Sequence, residues 1–181
     1  MPCSPANLLA YGGQLSVLST DRPTGVDRYP GRRIFETDTL RELLFDGTGW
    51  IIMSEPAQTW TPSIPNVTGT GTGYFVRSNG WIDISGLIVV TSVTGTFGAM
   101  TLPVAALGAR FGQITFGYVD VAVASFVGPG DSGTTSVVPY VVNATTTYGN
   151  AAQPTASVPF SWGASDRVEI QGSYRMTTRY S

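Results

Sequence analysis

The stretch Tyr74–Val90, YFVRSNGWIDISGLIVV, decides the fold class. Asn79-Gly80 stands between two strand-like runs, Tyr74–Ser78 and Trp81–Val90. Both residues accept the positive φ that a two-residue hairpin turn demands, so the pair is a strong local signal for two antiparallel strands. On the second run Ile82, Ile84, Ile88 and Val90 share one face, while Asp83 and Ser85 point the other way. One apolar and one polar face is the pattern of an antiparallel strand with a core on one side and water on the other.

The same period recurs towards the C-terminus. Val168, Ile170, Tyr174 and Met176 alternate with Arg167, Glu169, Gln171, Ser173 and Arg175, which predicts a strand with the first set inward. Gly112–Val127 is β-rich but changes phase, from Ile114, Phe116 and Tyr118 to Val119, Val121 and Val123; a bulge near Gly117 reconciles the two sets. Ser136–Val142 contains Pro139 and should be an edge or bulged strand. Thr155–Phe160 reads as a strand with Ala156, Val158 and Phe160 inward, and Phe97–Pro103 as a further short run. About eight strands between turn signals, with no helical period, predict an all-β antiparallel β-sandwich of jelly-roll type over residues 57–181.

Upstream, residues 29–56 read as a β-meander collar. Runs at 31–36, 41–45 and 50–53 are separated by Thr37-Asp38-Thr39 and by Asp46-Gly47-Thr48-Gly49. Three strands of about five residues are too few to fold alone. Each carries apolar residues on both faces, so excess apolar surface should be left for an interface. Ile34, Phe35, Leu43, Leu44, Trp50 and Ile52 are its candidate residues. The charges Arg32, Arg33, Glu36, Asp38, Arg41 and Glu42 are either solvated strand faces or ion pairs between chains that set register. Residues 1–28 read as an arm, with a helical turn from Ser4-Pro5 through Leu9 and a short strand around Leu15, Val17 and Leu18. Such an arm orders only against a partner, which makes Leu8, Leu9, Tyr11, Leu15, Val17 and Leu18 candidate docking residues.

Composition excludes several function classes. The chain has no His and no Lys, one cysteine (Cys3), 12% charged residues and a formal charge of −2. No basic face is offered to nucleic acid. One cysteine and no histidine leave no zinc set, and no cofactor or metal site is expected. A calcium site from Asp120, Asp131 or main-chain carbonyls stays open, without EF-hand spacing. No run approaches a membrane span and no secretion signal is visible, so the expected place of synthesis is a cytoplasm.

Gly130-Asp131-Ser132-Gly133 matches the surroundings of a serine protease nucleophile, but no imidazole exists to take the hydroxyl proton; ordinary turn residues explain it better. Gly69-Thr70-Gly71-Thr72-Gly73 lacks the Lys and the helix of a phosphate loop and reads as a flexible entry to the sandwich. The acids Asp83, Asp120, Asp131, Asp166 and Glu169 show no spacing that pairs them for glycoside hydrolysis, so surface and turn positions are expected. Trp81 lies on the polar phase of its strand, and Trp60 and Trp162 lie at strand ends. Trp81 and Trp162 are candidate glycan contacts, although tryptophans more often close a core or an interface. No catalytic residue is expected.

The segment RRIFETDTLRELLFDGTGWIIMSEP resembles one found in virion proteins of tailed phages, notably those of high-GC Gram-positive hosts. There it precedes a C-terminal β-sandwich opening with a Trp-Thr-Pro motif, here Trp60-Thr61-Pro62. The closing strands are similar too, at Phe160-Ser161-Trp162 and Asp166–Tyr174. The resemblance spans roughly residues 29–181, without the long shaft of a tail fibre. It implies a non-enzymatic virion structural protein, of short tail-fibre, tail-tip or capsid-decoration type. Such a protein would dock on other virion proteins through its arm, form a homotrimer and display its sandwich for attachment to a host-surface glycan. A free carbohydrate-binding module or a sandwich-fold enzyme is the alternative, since one fold serves many functions.

Overall fold

The computed structural model describes residues 14–108, 112–122, 125–143 and 150–177. The expected helical turn at Ser4-Pro5 and the docking candidates Leu8, Leu9 and Tyr11 lie outside them. Contacts divide the chain into two compact units, one running to Pro56 and including Val76–Gly80, the other holding Ala57–Phe75 and Trp81–Thr177.

In the first unit, β1 (Leu15–Val17), β2 (Arg33–Glu36), β3 (Arg41–Phe45) and β4 (Trp50–Ser54) form one sheet in chain order. β1 runs parallel to β2, and the other pairs are antiparallel. Its core is Ile34, Leu43, Phe45, Trp50 and Ile52, with Leu15 and Val17 packed against it. The guanidinium of Arg28 lies 4.7 Å above the Phe45 ring. The expectation of an arm ordered only by a partner is corrected for Leu15 and Val17. β2 has an edge of unpaired main-chain groups, and β1 satisfies them from within the chain. Leu18 stays exposed.

Of the charges read as solvated faces or links between chains, Glu36 and Arg41 are paired inside the unit, while Arg33, Asp38 and Glu42 stay at or near its surface. Glu36 is fully buried; it bonds Arg22 and accepts from the Thr39 hydroxyl at 2.5 Å. Glu55, also in the interior, accepts from Arg41 Nε at 3.1 Å and Arg77 Nε at 2.6 Å. Only Arg33–Glu42, at 3.3 Å, is a surface pair among these. In the turn before β3, the Ser19 hydroxyl and main-chain N–H both donate to Asp38, and the hydroxyl bond leads in holding that carboxyl below its usual range.

The second unit is all-β and sandwich-like. It comprises β5 (Gln58–Trp60), most of β6 (Val67–Ser78, whose last three residues belong to the first unit), β7 (Trp81–Val93), β8 (Met100–Thr101), β9 (Gly112–Val119), β10 (Ser125–Ser132), β11 (Ser136–Pro139), β12 (Val141–Asn143), β13 (Asn150–Ala152) and β14 (Arg167–Arg175). An eight-stranded sheet has the order β5-β6-β7-β14-β9-β10-β11-β8, and β12 pairs with β13 separately. Asn79 and Gly80 adopt φ of 47° and 82°, as their hairpin turn requires. The inner face carries Ile82, Ile84, Ile88, Val90, Ile114, Phe116, Tyr118, Val168, Ile170 and Tyr174. A second layer closes over it, made by Ile64, Phe97, Leu102, Ala106, Val141, Phe160 and Trp162.

The glycines of the 69–73 stretch are not a flexible entry. They lie in β6, and the missing side chains of Gly71 and Gly73 admit the Trp60–Pro62 segment. A Cβ on Gly71 would stand 2.1 Å from the Pro62 carbonyl oxygen, and one on Gly73 would stand 2.4 Å from Trp60 Nε1. The indole donates to the Ser85 carbonyl at 3.3 Å.

Three further expectations are corrected. The phase change in Gly112–Val127 is a hairpin rather than a bulge, because Asp120 accepts from the Ala122 N–H at 2.8 Å and turns the chain between β9 and β10. Thr155–Phe160 forms only an isolated bridge between Thr155 and Val158, with a cis Val158–Pro159 bond. Ala156 and Val158 are exposed there, and Phe160 alone packs inward. Asp131 and Ser132 end β10, leaving the turn to the residues after them, where Gly133 N–H donates to Ser136 at 2.7 Å. At Pro139 the 136–142 run breaks, β11 ending there and β12 starting afresh at Val141.

Two buried tyrosines fasten the second layer. Tyr118 donates to the Tyr140 carbonyl at 2.8 Å and Tyr174 to the Val104 carbonyl at 2.9 Å. Burial raises both hydroxyl pKa values, that of Tyr174 to about 12. The unfolded chain ionises near pH 10 while the native hydroxyl stays protonated, so above that pH the unfolded state binds fewer protons. The stabilisation is therefore complete below about pH 10 and is lost as pH rises towards 12, at roughly 1.4 kcal/mol per pH unit for each tyrosine. Denaturant titrations from pH 8 to 11.5 should show this decline, and Tyr174→Phe should make it shallower. An unchanged slope in that variant would remove Tyr174 from the account.

Candidate binding face

The outer face of the eight-stranded sheet is the candidate site. Because β14 lies between β7 and β9, residues far apart in sequence line up across the strands. One row reads Ser85, Gln171, Thr115 and Pro129. The next reads Leu87, Glu169, Gly117 and Val127. Tyr74 on β6 stands at one end of the face, 57% exposed. Two shallow depressions mark it. The larger, about 360 Å³, is lined by Thr72, Tyr74, Ser85, Leu87, Glu169 and Gln171 among others. The smaller, about 140 Å³, adjoins it through the shared Glu169 and Gln171 and continues over Thr115, Gly117 and Val127.

Gly117 makes the dip. A Cβ there would lie 3.3 Å from Glu169 Cβ and 3.4 Å from its Oε2, so the bare position gives that side chain room. The side chains of Tyr74, Ser85, Thr115, Glu169 and Gln171 make no hydrogen bond to another described residue. Hydroxyl, amide and carboxylate groups therefore face outward, beside the apolar surfaces of Leu87, Val127 and the tyrosine ring.

Asp83, the acid on β7 of this face, aligns with Ser173, four residues along β14 from Glu169. At ~3.3 Å per residue the two acids stand about 13 Å apart along the strands, beyond the separation at which paired carboxylates cleave glycosides. Asp166 is buried, its carboxylate accepting from the Gly163 N–H at 2.6 Å and the Val121 N–H at 3.2 Å, so it holds a turn and is not the surface acid expected. Among the described residues no three His, Cys, Asp or Glu side chains gather where a metal could bind.

The residues singled out from sequence fall in different places. Trp162 is not a glycan platform. Its ring packs on Phe160 at 4.5 Å, Phe97 at 5.2 Å and Tyr118 at 6.2 Å, and its indole N–H donates to the Thr155 carbonyl at 3.0 Å. Trp81 is 41% exposed on the outer face, with the Arg175 guanidinium 5.8 Å from its ring centre. Of the interface candidates, Ile34, Leu43, Trp50 and Ile52 are interior to the first unit and offer no outer surface, because β1 and the chain following it complete a core on that side. Phe35 and Leu44 are half-buried on the opposite side of the sheet. Glu169 and Gln171 were readable as outward-facing from the period of β14. That they meet Ser85 and Thr115 was not, since no local signal names a strand's neighbours. In comparisons with known proteins, the chain matches no protein family, no curated protein and no solved structure.

Proposed function

We propose that the chain is a non-enzymatic structural protein of a phage virion, which docks by its N-terminal part and displays its β-sandwich for attachment to a host surface. One observation carries this reading. The phage-like segment at 32–56 supplies three of the four strands of the first compact unit, to which β1 and Val76–Gly80 also belong, and most of the sandwich forms a second compact unit, which suits an anchor and a displayed domain. The reading includes a homotrimer. Phe35 and Leu44 sit half-buried on one side of the first unit's sheet, and partly covered apolar side chains suit a self-association surface. Closed rings are the common form of self-association, and the resembling phage proteins are typically three-fold.

Antibody raised against the recombinant chain should label phage particles purified from lysates of the source strain, and native mass measurement at micromolar concentration should give a trimer. Changing Phe35 and Leu44 together to Asp should give monomers whose second unit stays folded. Unlabelled particles would overturn the virion reading; a wild-type monomer or dimer would overturn the trimer. A free carbohydrate-binding module is the second reading, favoured by the open polar trough of the outer face.

A further inference from the structure

We infer that the trough formed by Tyr74, Ser85, Glu169, Gln171 and Thr115 binds a neutral glycan. The inference rests on the display reading only for where that glycan resides. Three features of the trough select this class of ligand.

The first is shape. The depressions are shallow and adjoin across four strands, β7, β14, β9 and β10, with β6 at the rim. An extended chain of rings can lie along such a groove, and at about 360 Å³ the larger part has the size of an ordinary small-ligand site. The second is the lining. Hydroxyls of Tyr74, Ser85 and Thr115 and the amide of Gln171 both donate and accept, and the Glu169 carboxylate accepts through two oxygens. Sugar hydroxyls also do both, so each finds a match. Leu87, Val127 and the Tyr74 ring offer apolar patches to the C–H faces of sugar rings.

The third is charge. Among the described residues lining the two depressions, Glu169 is the one acid and none is basic. That carboxylate lies inside the trough and Arg167 stands in the adjoining row outside the lining, so the trough disfavours phosphate- or uronate-bearing ligands by like-charge repulsion and favours uncharged ones. A second copy of the chain is a poorer occupant. The buried centre of an interface between copies is largely apolar, whereas one row of this trough runs Ser85, Gln171 and Thr115 and the next sets Glu169 between Leu87 and Gly117.

The test uses the full chain and a panel of soluble hexasaccharides: malto-, cello-, manno-, galacto- and arabino-oligomers, with hexagalacturonate as the anionic probe. Binding is followed by amide chemical shifts up to millimolar sugar. At least one neutral sugar should bind with Kd of about 1 mM or tighter, shifting the amides of Gln171 and Thr115. Gln171→Ala and Glu169→Ala should each weaken it by about tenfold or more, the loss of one charge-assisted or bidentate bond. Both side chains are exposed, so these variants should keep wild-type melting. Gly117→Leu should fill the dip and abolish binding, while Asp83→Asn, on the same face outside the trough, should leave it unchanged. No neutral sugar bound, stronger binding of hexagalacturonate, or binding untouched by the trough variants would each overturn the inference. Particle labelling reads out separately. Sugar binding by a chain absent from particles would leave this inference standing and remove the virion reading; a labelled particle without sugar binding would do the reverse.

Discussion

Glu55→Ala should lower the stability of the first unit by about 3–5 kcal/mol, near the low end because its partners are partly solvated. The Glu55 side chain is fully buried and is the shared acceptor of Arg41 and Arg77. Removing it leaves two guanidinium groups facing each other, each about a quarter exposed, with no counter-charge. Truncating the surface partner Glu42 should cost about 0.5 kcal/mol or less, since its pair with Arg33 lies in water. The comparison can be made in one denaturant experiment. Trp50 is the single tryptophan of the first unit, so the fluorescence change lost on Trp50→Phe is the part that reports that unit. Equal losses in the two variants would show that burial of the Glu55 triad does not set its worth.

Phe97→Ala should cost the second unit about 3–5 kcal/mol, the range for deleting a large buried ring. Phe97 is 1% exposed and meets Trp162 at 5.2 Å and Tyr118 at 6.3 Å. Its main-chain N–H also donates to the Pro154 carbonyl at 2.8 Å, so the ring anchors a loop over the core. Val158→Ala, on the exposed side of the same layer, should stay within about 0.5 kcal/mol of wild type. Thermal melts of both variants decide it. A Phe97→Ala loss as small as that of Val158→Ala would mean the second layer collapses to refill the cavity.

Phe97 also marks where sequence reading stops. The all-β class, the Asn79-Gly80 hairpin and the inward set of β14 were legible because each rests on a period of two or on a turn residue with one permitted geometry. Phe97 sits outside any strand, in a segment with no period, and its burial depends on a loop some sixty residues later in the chain. β10 was missed for a related reason. Gly128 and Gly130 occupy its inward positions, where side chains would strike Tyr140 and Val137, so close packing erased the alternation that announces a strand. The β1–β2 pairing was missed because a three-residue strand, Leu15–Val17, carries too few positions to show its partner. The binding face was legible only strand by strand. The place of Trp162 stayed open because a tryptophan near a strand end suits a rim or a core equally well until its neighbours are known.

The central place of β14 also governs how the protein can be made. In the sheet β7 and β9 are joined by Arg167–Arg175, which a ribosome adds about eighty residues after finishing β7 at Val93. At ~5–20 residues per second, β7 waits on the order of ten seconds with one edge unpaired. β9 waits too, and both strands carry isoleucines and aromatics that a neighbouring nascent chain could capture. Folding of the second unit is thus a late event, completed by the insertion of one strand between two that are already present. A stalled or prematurely terminated chain lacking β14 has no strand to join β7 to β9 and so cannot complete the inner face.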